Sequence, residues 1–499
     1  MTTLKELISS EALVQSSGDL LATISGITPH SKRVEKGFLF VAIPGSKTDG
    51  RLFIEEAIAR GAAGIVSIDP APKIVPGVNH PGGSPLPAWL QVKEARQALA
   101  LLSARFYDEP SRSLNLVGVT GTNGKTSLTF LLESIFKEAS QKSGVIGTIN
   151  YRFGEINRPA PTTTPEPSEL QSLLATMRNE GVQSVAMEVS SHALSLDRVV
   201  GCHFDVVCFT NLSRDHLDFH ETLDDYFEAK CRLFTEILTS SSKKKKTAVL
   251  PVGDPWGKKI RERIGPSVTV LTYGEGEADI SADDVKLTRR GIRAHIKTPG
   301  GDFLLSSPLL GQHNLSNLLA ATACAVALGF SPEVIKNGLE AVVVIPGRLE
   351  AISNKKGLAL FVDYAHTPEA LEKVLEMLRP LTIGRLIALF GCGGDRDSGK
   401  RPLMGEIAAQ KADLVILTSD NPRTEEPQKI LKQILAGVIK GGKQPLIIAD
   451  RQEAIARALS IAEPGDTILI AGKGHEDYQI IGTEKKHFSD QEEVRKILG

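Results

Sequence analysis

Residues 118 to 127 read GVTGTNGKTS, a glycine-rich stretch that runs into Lys125, Thr126 and Ser127. Gly121, Thr122, Asn123 and Gly124 can wrap a polyphosphate so that backbone N–H groups face its oxygens, at the positive end of a following helix. In that geometry the Lys125 ammonium reaches the β and γ phosphates and the Thr126 hydroxyl ligates Mg²⁺. Val119 stands where the P-loop pattern has its first glycine, so the flanking elements must decide between a nucleotide site and a chance glycine-rich turn. Before the loop, LNLVGVT is an apolar run of strand length. After it, SLTFLLESIFKEA places Leu128, Leu131, Leu132, Ile135, Phe136 and Ala139 on one face of a half-buried helix. Strand, Gly-Lys-Thr and amphipathic helix in that order predict nucleotide binding.

Other residues able to do chemistry follow. Glu188 closes the apolar run QSVAME, where a carboxylate is either placed to hold Mg²⁺ beside a P-loop or is an ordinary strand-end charge. The run FDVVCFT leads into NLSRDHLDFH, which crowds Asn211, Asp215, His216, Asp218 and His220 into one segment: a metal or phosphate site, or a solvated loop. Lys230 sits in DYFEAKCRLF, and spacing alone makes it no more than a helix lysine whose stem snorkels. In TSDNPRTEEP, Asp420, Asn421 and Pro422 break the apolar run LVIL into a turn that carries Arg423. That guanidinium either solvates a loop or holds a carboxylate.

Elements must position these residues. A chain of 499 residues exceeds one ordinary core, so two to four domains are expected. Three regions separate on pattern: 1–112, 113–345 and 346–499. The first has a strand in GFLFVAI, a helix in FIEEAIARGAAG and a loop in PGVNHPGGSPLP. The third alternates LALFVDY, LIALFG, LVILTS, PLIIAD and TILIAG with amphipathic segments such as PEALEKVLEMLRP and QEAIARALSIA. That alternation predicts an α/β fold whose C-terminal part is a mostly parallel, Rossmann-like doubly wound sheet, with ligands beyond the carboxyl ends of its strands. The lysine run SSSKKKKT reads as a solvated loop.

With 58 basic against 59 acidic residues there is no charge excess to bind nucleic acid, and no polybasic segment flanks an apolar helix, so neither nucleic acid nor membrane is an expected partner. No run reaches 18 apolar residues, and MTTLKELISSEALVQ lacks the basic and apolar regions of a signal peptide, which makes the cytoplasm the expected compartment. Cys202, Cys208, Cys231, Cys324 and Cys392 are odd in number and mostly within apolar runs, which suits reduced core thiols.

Taken together, GTNGKTS, AMEVSSHAL, TNLSRDHLD, FEAKCRLF, GQHNLSNLLAA, VDYAHTPEAL, GCGGDRDSGKRPLMG, DNPRTEEP and AGKGHEDYQ resemble, in order, the motifs of the Mur ligases. FLFVAIPGSKTDG extends the resemblance into the N-terminal region. The form of these motifs is similar to that of the members adding meso-diaminopimelate to a bacterial cell-wall precursor. The resemblance implies a monomeric, three-domain ligase with an N-terminal UDP-MurNAc-binding domain, a central P-loop ATPase-like domain and a C-terminal amino-acid-binding domain. ATP would phosphorylate the D-Glu side-chain carboxyl of UDP-MurNAc-L-Ala-D-Glu, and an amine would attack the acyl phosphate.

The resemblance also implies roles. Lys125, Thr126 and Glu188 would serve triphosphate and a first Mg²⁺, His216 a second, and Lys230 would be carbamylated into an oxygen ligand for hard Mg²⁺. Asn314 and Arg348 match ATP contacts, and Asp363 and His366 lie on a loop facing the nucleotide. Ser31, Ser46, Lys47, Thr48, Thr162, Thr163, Thr164, Ser190 and Arg198 match the UDP-sugar site, with Thr162 and Leu196 where some relatives carry Asn and Gln. Arg396, Asp420, Asn421, Pro422, Arg423, Gly472 and Glu476 match the diaminopimelate site. Diaminopimelate bears a second carboxylate at its far end, which a guanidinium can grip through two parallel bonds, whereas lysine has only an ammonium there.

Three rival readings are weaker. LIALFGCGG followed by Asp420 imitates a dinucleotide fold, but its glycine spacing is wrong and does not open into a helix. Folylpolyglutamate synthetase shares the ligase architecture, yet DNPR and HEDYQ speak against it. A GTPase switch would need an N-K-x-D motif, which the chain lacks.

Overall fold

A computed structural model describes residues 2–8, 13–45, 48–72 and 87–499. Three sheets, each with its own apolar core, follow one another along the chain. The first has five strands in the order Leu13–Ser17, Ala88–Val92, Gly64–Ser67, Phe38–Val41, Gly26–Thr28, parallel except at the Leu13–Ser17 edge. The helix expected in FIEEAIARGAAG forms over Ile54–Ala59. Of PGVNHPGGSPLP, residues 76–86 lie outside the described residues.

The second sheet has eleven strands. Its parallel centre runs Ser143–Ile146, Ser184–Glu188, Asn115–Thr120, Val206–Phe209, Thr247–Pro251, Thr269–Gly274, and hairpin strands extend both edges. Register places Glu188 beside Val119, and Phe209 beside Thr120. Three carboxyl ends therefore meet at one place, which is where a parallel sheet binds ligands. The helix Lys125–Glu138 lays Leu128, Leu131, Leu132, Ile135 and Phe136 into the core against the helix Gln312–Ala327. Each side chain so buried contributes about 1.5–3 kcal/mol.

The third sheet runs Glu350–Ala351, Ala359–Asp363, Thr467–Ala471, Leu386–Phe390, Leu414–Leu417, Leu446–Ile447, parallel except at the first strand. Alternate residues point to opposite faces. Leu386, Ala388 and Phe390 meet the helices Pro368–Leu378, Lys400–Lys411 and Pro427–Lys440. Ile387 and Leu389 meet Arg451–Ile461 and Asp490–Leu498. That is the doubly wound arrangement expected from the alternation. Arg451 and Asp490, both fully buried, form a bidentate pair at 2.7 and 2.8 Å. The same guanidinium donates to the Ser419 and Ala471 carbonyls, tying two carboxyl-end loops together at the floor of the site.

Two local expectations need correction. Lys243 of SSSKKKKT is not solvated: it reaches the Asp205 carboxylate at 2.9 Å and the Leu114 carbonyl, closing the start of the central strands, while Lys244 and Lys245 are exposed. Lys230 does not snorkel, because its side chain is 1 % exposed. All five cysteines are buried and free.

Candidate active site

The loop after Asn115–Thr120 closes around its own backbone. Gly121 has φ 146° and its missing Cβ would lie 1.9 Å from Thr210 Oγ1, so no side chain fits there. Thr210 Oγ1 donates to the Asn123 carbonyl at 2.6 Å, and the Asn211 side chain both accepts from Asn123 N at 3.0 Å and donates to its carbonyl at 3.1 Å. Asn211 is thus a brace for the phosphate loop. Lys125 Nζ folds back onto the Gly121 and Thr122 carbonyls at 2.8 and 2.9 Å, and burial lowers its pKa against the pull of Glu188 and Asp215. Gly121→Ala is expected to weaken ATP binding at least about tenfold, because the loop must open and its N–H groups lose their aim. Isothermal titration of ATP would measure this; unchanged affinity would contradict the loop's assignment.

Glu188, 1 % exposed, lies opposite. It accepts from Thr126 Oγ1 at 3.0 Å, from Thr148 N at 2.9 Å and from Thr148 Oγ1 at 2.9 Å. Arg348, from the third region, donates to Thr126 Oγ1 at 3.0 Å and stacks 4.7 Å from the Tyr364 ring centroid. Lys230 projects from the helix Leu223–Arg232, past which one π-helical stretch, Leu233–Ile237, interrupts the regular ladder. Its ammonium donates to the Gly121 carbonyl at 3.0 Å and lies 4.3 Å from the Tyr226 ring centroid. Burial, reinforced by nearby Lys125, drives its pKa well below the usual lysine value.

NLSRDHLDFH does not converge on one point. His220 Nε2 faces Ser191 Oγ at 3.0 Å, Asp218 pairs with Arg396 at 3.5 Å, and Asp215 lies 3.5 Å from His216 Nε2 and 3.9 Å from His366 Nε2. Among the described residues no three His, Cys, Asp or Glu side chains form a metal cage. Burial, against the pull of Asp215, brings the His216 imidazole to about 3, which leaves a ring nitrogen lone pair open. Asp215 is held at about 2, despite burial, by His216, His366 and Lys400 around it.

A cleft of about 690 Å³ separates the second sheet from the third. Thr148, Thr162, Thr163, Asp215 and His216 line one wall; Arg396, Lys400, Asp420, Asn421, Arg423, Gly472 and Glu476 line the other. Asn421 Nδ2 donates to Glu476 Oε2 at 2.8 Å, and the fully buried Lys473 reaches Asn421 Oδ1 and Glu476 Oε2, each at 3.2 Å. Burial, and then Asp420, raise the Glu476 pKa. Arg423 has φ 51° and its backbone is pinned by the Ile480 carbonyl and Gly482 N–H. Pro422 precedes it, and the Arg423 side chain donates through Nη1 to the Gly394 carbonyl at 2.8 Å. Arg396, by contrast, is turned toward Asp218.

The remaining expected residues divide. Thr164 Oγ1 donates to the Glu188 carbonyl at 2.9 Å and accepts from Ser190 N at 3.1 Å, while Arg198 donates to the Thr164 carbonyl at 2.9 Å. Thr164, Ser190 and Arg198 therefore form one cluster, with the Thr164 hydroxyl wholly occupied. Asn314 is buried and donates to the Leu310 carbonyl at 2.9 Å; its oxygen accepts from Asn317, which abuts Gly124. Asp363 accepts from Leu349 N at 2.6 Å and Ala365 N at 2.8 Å, setting the loop that bears His366. Ser31 and Thr48 lie in the first region and do not line the cleft; Ser46 and Lys47 lie outside the described residues. Lys400 and Lys473 were missed from sequence, although both stand inside quoted motifs, because a lysine's burial has no local signal.

Three family models match the chain: "Mur ligase family, catalytic domain" over residues 23–107, "Mur ligase middle domain" over 119–325, and "Mur ligase, glutamate ligase domain" over 347–474. A UDP-N-acetylmuramoyl-L-alanyl-D-glutamate--2,6-diaminopimelate ligase from Geobacter metallireducens is 45% identical over 498 residues, covering 96% of this chain and 95% of its own. A solved structure of a ligase of the same name is 33% identical, with a TM-score of 0.69 over 100% of this chain and 98% of its own. The fold is also that of a MurF ligase from Thermotoga maritima in complex with ADP, at 21% identity and a TM-score of 0.62, over 97% of this chain and 98% of the other. Matched in order along nearly its whole length, the chain belongs to the Mur ligase family.

Proposed function

We propose that the protein joins meso-diaminopimelate to the D-Glu side-chain carboxyl of UDP-MurNAc-L-Ala-D-Glu at the expense of ATP. It would do so as a cytoplasmic monomer built of domains 1–112, 113–345 and 346–499. The observation that carries this reading is the cleft itself, where Thr148 and His216 face Arg423, Asp420 and Glu476, and Thr148 shares the Glu188 carboxylate with Thr126 of the phosphate loop. A carboxylate is a poor electrophile, so phosphorylation must first supply a leaving group; the amine then attacks carbon, and phosphate departs as the amide forms.

Binding of Mg²⁺ fits the donors present. Glu188 and Thr126 offer hard oxygens 3.0 Å apart, and Mg²⁺ is held by one or two carboxylates plus phosphate oxygens rather than by an all-protein cage. Carbamylated Lys230 and His216 would complete the set. When bound, Mg²⁺ neutralises phosphate charge at the transferring group. The chain's own residues do the rest. Lys125 leaves the loop carbonyls for the phosphates, with Asn314 and Arg348 at the nucleotide, and Gly121 to Ser127 orient the chain of phosphates by backbone N–H groups. Thr162, Thr163, Ser190 and Arg198, with Ser31, Ser46, Lys47 and Thr48, hold the UDP-sugar peptide, and the buried Thr164 braces Ser190 and Arg198 from beneath. Arg423 grips the far carboxylate of diaminopimelate, with Arg396 released from Asp218 to join it. Asp420 and Glu476 take the far ammonium as a second cation beside Lys473, which already pairs with both carboxylates.

Purified protein with ATP, Mg²⁺ and UDP-MurNAc-L-Ala-D-Glu is expected to release phosphate with meso-diaminopimelate and far less with lysine or glutamate. Release with lysine alone would overturn the substrate assignment.

A further inference from the structure

Loops 391–397 and 418–425 meet along the amino-acid side of the cleft, and one ion pair, buried on its arginine side, joins them. Arg401, 0 % exposed, bonds Glu425 through both terminal nitrogens at 2.8 Å each. It also donates to Gln433 Oε1 at 2.6 Å and to the Gly393 carbonyl at 2.9 Å. Glu425 Oε1 in turn accepts from Asp395 N at 2.6 Å, and Asp395 accepts from Thr424 N and Oγ1 at 3.1 and 2.8 Å. Between these contacts lies Gly394, where a Cβ would sit 1.9 Å from the Pro422 carbonyl oxygen. The two backbones therefore touch.

The Gly394 carbonyl accepts from Arg423 Nη1 at 2.8 Å. Among the described residues Arg423 Nε and Nη2 have no protein partner, and these two form the edge of a guanidinium that can take a carboxylate through parallel bonds. Asp395 and Arg423 both hold the left-handed conformation, at φ 54° and 51°, which side chains avoid unless their surroundings impose it. The Arg423 backbone is set by Ile480 and Gly482, and that of Asp395 by the Glu425 carboxylate that Arg401 holds. A guanidinium withdrawn wholly from water stabilises little in net terms, but it fixes the Gly394 carbonyl and so the direction of the free Arg423 edge.

We propose that Arg401 and Glu425 are positioning residues for amino-acid selection: they set the angle at which Arg423 meets the far carboxylate of the incoming diamino acid. This rests on the reading of Arg423 given above. The pair makes no contact with substrate; its effect should pass through Arg423 alone.

The test is a cycle of Glu425→Gln and Arg423→Lys in the full-length enzyme, with kcat and KM measured separately for meso-diaminopimelate, lysine and ATP. Glu425→Gln is expected to raise KM for diaminopimelate about 30-fold, the scale of a lost charge-assisted bond, while lysine turnover and KM for ATP change less than about twofold. In an Arg423→Lys background the same change should add less than about twofold. Equal losses for diaminopimelate and lysine, or the full loss persisting in that background, would overturn the positioning role. If Arg423→Lys alone leaves the preference over lysine intact, the reading of Arg423 fails instead. Should Glu425→Gln not fold, Arg401→Lys, which keeps the charge but not the bidentate geometry, is expected to give the same selective rise in KM; an even loss across all three ligands would count against the pair.

Discussion

Lys230→Met is expected to lower kcat by about 10²–10³-fold, the loss seen when one group stabilising transition-state charge is removed, while the protein remains folded. Lys230 is buried at the loop it serves, 3.0 Å from the Gly121 carbonyl and beside Lys125. An ammonium there would only repel a second cation. Burial lowers the pKa of this amine and so favours its neutral form; on the proposed reading the neutral amine adds CO₂ to give a carbamate and a proton, which would convert the position into an anionic oxygen donor. The wild-type enzyme should therefore lose activity in CO₂-depleted buffer and regain it with bicarbonate, whereas Lys230→Arg should be inactive and indifferent to bicarbonate. If Lys230→Met retained activity within about tenfold of wild type, or lost it only through unfolding, a purely structural role would hold.

Arg423→Lys is expected to raise KM for meso-diaminopimelate about 10–100-fold, as two parallel charge-assisted bonds become at most one. KM for ATP should move less than about twofold, since Arg423 lies on the cleft wall opposite Thr148 and His216 and bonds the Gly394 carbonyl, not the phosphate loop. Steady-state kinetics with each substrate varied in turn would check both. Equal loss for ATP and diaminopimelate would show that the substitution disturbs the cleft rather than one grip.

What was legible from sequence was local. The phosphate loop is ten contiguous residues whose glycines, lysine and threonine need no distant partner to be recognised, and the third sheet announced itself through strands whose alternate residues are all apolar. What stayed mute depends on contacts far along the chain. Lys230 meets Gly121 across 109 residues, and Arg348 meets Thr126 across 222; no periodicity carries such pairings. Density told only part of the arrangement. Asp215 and His216 do meet, at 3.5 Å, whereas Asp218 goes to Arg396 and His220 to Ser191. The family resemblance supplied roles for Lys230 and Arg423 that spacing could not.

The central claim is that the D-Glu carboxyl is activated by phosphorylation and then captured by diaminopimelate. UDP-MurNAc-L-Ala-D-Glu labelled with ¹⁸O in both side-chain carboxyl oxygens tests it directly, because the oxygen joining carbon to phosphorus leaves with phosphate. With ATP, Mg²⁺ and meso-diaminopimelate, the released phosphate should carry one ¹⁸O per turnover by mass spectrometry. Unlabelled phosphate, or equal labelling rates with lysine in place of diaminopimelate, would contradict it.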